Sequence, residues 1–286
     1  MDESSNVVES LMLKGDALDI QELVEVLRES DTQPELTGTS YQSIFQFNAR
    51  HFLDFAEQDF SDELPRGYIN AISNANRAYR CRVDELLWAN CVPFMYSGDL
   101  KKKYSSKIQE KIRILGKLGI NVRSVLGTLV SANRNSLEHS YTMLAENYQI
   151  LEGEEQIVEE KYLKQVQENI RHAVDIAAIF IEATEKYVER VLESALVTIH
   201  TKEWPISKHS ESSFLERESQ PYSGLIYDIM FNRDEESKCI ELKRHIHFQG
   251  AEHSNVKAVY SIKDLNVDAV VELISLLLGK GTWVGW

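Results

Sequence analysis

Disulfide chemistry has little to work with in this chain. Only three cysteines, Cys81, Cys91 and Cys239, occur in 286 residues, and they lie without paired spacing. Two of them fall inside apolar helical patterns, so they read as reduced core thiols, and a disulfide scaffold is excluded. Proline is scarce too: five residues, of which Pro34, Pro65 and Pro93 mark breaks between helical patterns. The start of the chain lacks a basic segment followed by an apolar run, so no signal peptide is expected. Long apolar runs are missing as well. The most apolar stretch, residues 267–278, is interrupted by Asp268 and Glu272 and is too short to span a bilayer. These absences lead to the expectation of a cytoplasmic protein with no membrane partner.

Acid is what the chain has in excess. A formal charge of −14 repels nucleic acid as a whole, but the charge is unevenly spread. Residues 1–36 carry ten acids against Lys14 and Arg28, a local balance of −8. Residues 101–134 reverse it. There Lys101, Lys102, Lys103, Lys107, Lys111, Arg113, Lys117, Arg123 and Arg134 face only Glu110, a local balance of +8. A phosphate backbone is attracted to such a stretch whatever the global sign, and Lys107, Lys111, Arg113, Lys117 and Arg123 are its candidate RNA-binding cations. A solvated helix face explains any single lysine equally well. The two oppositely charged segments are expected to attract, so that residues 1–36 cover the basic stretch at rest. Otherwise they dock a partner through Leu18, Leu23, Val24 and Leu27.

Apolar residues recur at helical spacing through most of the first 200 positions. An acidic helix ends near Pro34, and further helices are expected at about 40–60, 65–91, 104–118, 122–150 and 155–200. Residues 203–222, rich in Ser and Glu with two prolines, read as a linker. Beyond them the period changes to two, with strands expected at 225–231, 239–248 and 256–262. In the middle strand Ile240, Leu242, Ile246 and Phe248 point one way, and Glu241, Lys243, His245 and His247 the other. A final helix over 266–278, stopped by Gly279, covers the apolar face. The expected divisions are an acidic N-terminal helical segment (1–36), a helical domain (37–202), the linker, and a β-rich module (223–286). His245, His247 and His253 suggest a metal site, but alternation along a solvent face explains the first two and no cysteine or carboxylate set accompanies them. No metal and no cofactor are expected.

The chemistry is concentrated in Arg134-Asn135-Ser136-Leu137-Glu138-His139-Ser140-Tyr141. An arginine and a histidine five positions apart supply a phosphate-binding cation and a proton shuttle, the means for cutting RNA without a metal. At 100° per residue, Leu126, Val130, Leu137, Leu144 and Tyr148 fall between about 280° and 320° from Arg134, a narrow core-facing stripe. Gly127, Glu138, Ser131, Thr142 and Asn135 fill the polar arc between Arg134 and His139. Imidazole, with an ordinary pKa of ~6.5, exchanges protons at cellular pH. His139 therefore serves as base towards a ribose 2′-OH or as acid towards a leaving 5′-oxygen. Arg134 holds the scissile phosphate with its planar fork of donors, and Asn135 orients the ring or donates to the phosphate. Glu138 pairs with Arg134 at i, i+4, which by itself would be only a helix-stabilising bridge.

Read as Arg-x4-His-x-Tyr, this segment resembles the signature of the HEPN superfamily, whose members include RNases of toxin-antitoxin, CRISPR and anti-phage systems. Asn74-Ala75-Asn76-Arg77-Ala78-Tyr79-Arg80-Cys81-Arg82-Val83-Asp84-Glu85-Leu86-Leu87 is similar to an early helix of bacterial members. Leu115-Gly116-Lys117-Leu118-Gly119-Ile120 leads into the motif as it does there, and residues 173–180 resemble the closing helix. The resemblance spans roughly residues 40–200. It implies a mainly α fold, a HEPN-type helical bundle followed by a small α+β C-terminal module of three strands plus a helix. It implies a homodimer in which two motif helices face each other, with Gly127 permitting close approach. For Tyr141 it implies the hydroxyl to which a separate nucleotidyltransferase attaches AMP, although a tyrosine at the edge of the core accounts for that residue equally well.

The expectation is thus a metal-independent HEPN endoribonuclease, a toxin or defence effector acting on RNA, with a separate antitoxin or sensor protein as a further partner. The competing expectation is a catalytically inactive HEPN dimer that binds nucleotides or protein, or the partner subunit of such a complex. Local basicity beside Arg134 favours the first and the −14 charge the second.

Overall fold

The computed structural model describes residues 19–40, 46–62, 65–92, 108–120, 155–200, 224–232, 239–248, 251–261 and 265–284. Among them are six α-helices and one six-stranded mixed sheet. In chain order these are α1 (Ile20–Glu29), β1 (Glu35–Ser40), α2 (Ala49–Ser61), α3 (Pro65–Ala89), α4 (Ile108–Lys117), α5 (Glu155–Ala183), β2 (Arg190–His200), β3 (Gly224–Phe231), β4 (Ile240–Phe248), β5 (Ala251–Tyr260), α6 (Val267–Lys280) and β6 (Thr282–Trp283). The sheet order is β5-β4-β3-β2-β1-β6. Every neighbouring pair is antiparallel except β1 and β6, which run parallel. Among the described residues, no helix is long and apolar enough to cross a membrane.

The expected fold class, a mainly α bundle followed by a three-strand module, is corrected by this sheet. Of its three additional strands, β2 comes from a segment read as helix and β1 from the approach to one. Residues 190–200 do not continue α5. That helix stops at Ala183, where the buried Thr184 hydroxyl donates to the Phe180 carbonyl at 2.7 Å and a 3-10 turn follows over Glu185–Tyr187. Val191, Leu192, Ala195, Val197 and Ile199 are then buried. The alternation is broken by a bulge opposite Thr37 and Gly38, at Glu193, so that the buried positions step from Leu192 to Ala195 before the period of two resumes at Val197 and Ile199. That bulge disguises a period of two as a helical one. Strand β1 continues past Pro34 where helix 40–60 was expected to begin. That helix starts later, at Asn48, whose side chain accepts the His51 N–H at 3.0 Å while the His51 ring accepts the Asn48 N–H at 3.2 Å.

The acidic end is corrected as well. Leu23, Val24 and Leu27 of α1 lie in the chain's own core, beside Leu36 of β1 and Val270, Leu273, Ile274 and Leu277 of α6. They cannot dock a partner, and Leu18 lies outside the described residues. Glu22 of α1 accepts a 2.9 Å bond from Arg244 of β4 and a 3.3 Å bond from the Tyr227 hydroxyl of β3. Arg244 is 1% exposed, on the same sheet face as Ile240 and Leu242. The final helix does not end at Gly279. It runs on to Lys280 and turns out at Gly281, where a Cβ would lie 2.7 Å from Leu36 and 2.4 Å from the Leu277 carbonyl.

Removal of residues 1–33 takes away α1, with its core side chains and the Glu22 partner of Arg244, and should abolish cooperative unfolding. Leu23→Ala alone should cost about 2–5 kcal/mol, measured by urea denaturation followed by circular dichroism. A truncation to residue 34 that melts like the whole chain would show that α1 is not part of the core.

Candidate functional site

Helices α2, α3 and α5 meet through small side chains. Ala56 and Phe60 of α2, Ala71, Ile72 and Ala75 of α3, and Ile170, Ala173, Val174 and Ala177 of α5 form one cluster. Alanine on three facing helices lets the backbones approach closely. At one end of this group sits a polar knot. Arg82, 2% exposed, donates to Glu85 at 3.1 Å, to the Ile181 carbonyl at 3.0 Å and to the Glu185 carboxylate. Arg50 reaches the same Glu185 at 3.3 Å, and the other Glu85 oxygen accepts the Ala49 N–H at 3.0 Å. The knot therefore ties the start of α2, the C-terminal third of α3 and the turn that leads into β2.

Its charged groups pair with one another, although the buried Arg82 Nε has no hydrogen-bond partner among the described residues. Burial pushes the Cys81 thiol up to about 12, helped by the nearby Glu85 and Asp84 charges. A thiol so protonated is no nucleophile at neutral pH. Burial also raises the Glu85 carboxyl above its ordinary value, against the opposing pull of the Ala49 N–H and Arg82. This knot was not anticipated from the sequence. The signal available was the i, i+3 spacing of Arg82 and Glu85 inside an otherwise apolar face.

The cations predicted to bind RNA are placed in part. On α4, whose Ile112, Ile114 and Leu115 are buried, Lys111 donates to Asp84 of α3 at 2.6 Å. Arg113 donates to Glu110 at 2.8 Å, and Lys117 to Asp268 of α6 at 2.9 Å. Lys117 and the neighbouring Arg113 hold the Asp268 carboxyl below its ordinary value. The helix is closed by Gly119 at φ 78°, with the Ile120 N–H donating back to the Leu115 carbonyl at 2.9 Å, a left-handed glycine stop. Beyond Ile120 the chain leaves the described residues, and it returns with α5. Arg134, Asn135, Glu138, His139, Tyr141 and Gly127 lie outside them, as do Lys107 and Arg123.

His245 is half-buried on the outer sheet face, and the side chains of His247 and His253 are outside the description. Among the described residues, no group of three or more His, Cys, Asp or Glu could hold a metal ion. Comparison with protein families, curated proteins and solved structures finds no match for the chain.

Two outcomes follow from these charges. The folded state binds the Glu85 proton more tightly than the unfolded chain does. The wild type should therefore lose stability relative to Glu85→Gln as pH rises from the ordinary carboxyl range through the raised value, read as the difference between two denaturation series. A flat difference would mean that Glu85 is not desolvated. Separately, Lys117 and Asp268 have side chains 43% and 75% exposed, against 14% and 27% for Lys111 and Asp84. Lys117→Ala should leave stability within about 0.5 kcal/mol of wild type, whereas Lys111→Ala should cost on the order of 1–2 kcal/mol by removing a half-buried ion pair with Asp84. The opposite order in chemical denaturation would overturn this division.

Proposed function

We propose that the protein is a metal-independent endoribonuclease of the HEPN type, acting as a cytoplasmic homodimer in a toxin or anti-phage role. The observation that carries the reading is the Arg134-Asn135-x3-His139 spacing, set directly behind a cationic run in an otherwise acidic chain. His139 takes the proton of a ribose 2′-OH, and that oxygen attacks phosphorus. The bond to the 5′-oxygen breaks, and the leaving oxygen takes a proton from the His139 of the second subunit. Arg134, with Asn135, binds the phosphate oxygens on which charge accumulates. The products are a 2′,3′-cyclic phosphate and a 5′-OH. The acidic balance of the chain and its separate handling of charge fit a further protein partner, an antitoxin or sensor, and Tyr141 is the hydroxyl such a partner would modify.

A second reading has a specific observation behind it. Lys111, Arg113 and Lys117 each already have a carboxylate, which favours a catalytically silent HEPN dimer that binds nucleotide or protein. Cleavage decides between the two. Purified protein in EDTA should cut single-stranded RNA to cyclic-phosphate ends. Arg134→Ala and His139→Ala should each lower the rate at least about a thousandfold without changing the melting temperature. Activity that needs a divalent metal, or survives either substitution, would remove the first reading and leave the second.

A further inference from the structure

Residues 65–83 hold four arginines and no carboxylate, in a chain whose acids outnumber its bases. One of the four, Arg82, turns inward to Glu85 and Glu185. The other three, Arg66, Arg77 and Arg80, are exposed. At 100° per residue from Arg66, Arg77 falls near 20° and Arg80 near −40°, with Asn70 at about 40° and Ser73 at about −20° between them. Three guanidiniums, an amide and a hydroxyl thus form one stripe along about 21 Å of helix. Arg66 and Arg80 make no ion pair among the described residues, and Arg77 donates to a neutral group, Asn74, at 3.1 Å. The nearest carboxylate along that route, Asp59, is reached only through the Asn74 amide at 2.8 Å. The first acid to enter the stripe is Asp84, and Lys111 answers it at 2.6 Å.

We propose that this face of α3 is a surface for an RNA backbone, with Arg66, Arg77 and Arg80 each taking a phosphate. The proposal rests on the RNA-cleaving reading for its choice of ligand, and it moves phosphate recognition from α4 to α3. Residues chosen merely to solvate a helix would alternate in sign, because opposite charges at i, i+4 stabilise it. An all-positive face forgoes that support and suits a polyanion instead. Arginine suits the role because its fork spans two phosphate oxygens. Lys111 then acts as a positioning residue, answering the Asp84 carboxylate that would repel the strand at that end of the stripe.

The test is affinity, measured apart from cleavage. In the full-length His139→Ala chain, a fluorescein-labelled single-stranded RNA of about twenty nucleotides is titrated by anisotropy over a range of KCl concentrations. Substituting Arg66, Arg77 and Arg80 together by Gln should weaken Kd at least about tenfold near 0.1 M salt, and should flatten the log Kd against log salt slope by about 2, or ~0.7 per phosphate contact. Replacing Lys243 and Lys257 on the outer sheet face by Gln should change neither. The melting temperature of the triple variant checks that it folds. An unchanged Kd and slope would overturn the proposal. So would an unchanged RNA affinity with a shifted dimer mass, which would make the stripe a protein interface. If the wild type cuts no RNA while the stripe still governs affinity, the nuclease reading fails and this one stands. If the wild type cuts while the triple variant binds normally, the reverse holds.

Discussion

A guanidinium at the centre of an apolar sheet face can be buried only if its charge is answered there. Arg244 is in that position, directly opposite Tyr227 in the sheet register, and the carboxylate that answers it belongs to Glu22, more than two hundred residues earlier in the chain. One oxygen of Glu22 accepts from both Arg244 and the Tyr227 hydroxyl. Burial first, and the Glu22 charge second, hold that phenol above its ordinary pKa, so it remains a donor. The helix carrying Glu22 has no freedom to sit elsewhere. With it in place, Leu23, Val24 and Leu27 meet α6, and the Lys280 ammonium donates to the carbonyls of Leu27 and Ser30 at 2.5 and 2.8 Å. The last helix thereby caps the first. Strands β1 and β6 then pair in parallel between them, which joins the two ends of the described chain into one layer.

The fold was legible in the sequence wherever one period ran without interruption. Helix α3 and strands β3 and β4 lie close to where their periods of 3.6 and two put them, whereas β5 begins at Ala251, five residues before the expected start. The errors fall where a local irregularity or a distant partner decides. The bulge in β2 hid its alternation, and β1 is only six residues long, too short to declare itself before its neighbours β2 and β6 are known. The inward face of β4 was read as apolar because Ile240, Leu242, Ile246 and Phe248 share it. Arg244 has the same parity, and its burial depends on a carboxylate that no local reading can supply.

The candidate site divides along the same line. The types of residue that suit phosphate chemistry can be recognised without coordinates, because Arg134 and His139 carry their properties with them. Whether a cation is available to a ligand is a matter of pairing, and pairing is three-dimensional. Lys111, Arg113 and Lys117 form a basic run in sequence, yet in space each meets an acid from α3, α4 or α6. Arg66, Arg77 and Arg80 are spread over fifteen positions and form no run, yet they share a face.

Net charge is therefore a poor guide to what this surface attracts. Among the described acids of the N-terminal segment, Glu22 is engaged inward with Arg244, and Arg28 of the same helix meets Glu272 of α6. Beyond about 8–10 Å at physiological salt, an exposed charge is largely screened. A strand lying along α3 would respond to the nearest guanidiniums far more than to a total of −14. The exposed pairs on α4 add a second tier. A pair such as Lys117 with Asp268 is worth at most about 1 kcal/mol, so a phosphate arriving at α4 can displace the carboxylate with little loss of stability. The half-buried Lys111 cannot be released on those terms. On the proposed reading, recognition would be a competition between phosphates and the chain's own carboxylates, decided by how deeply each cation is buried.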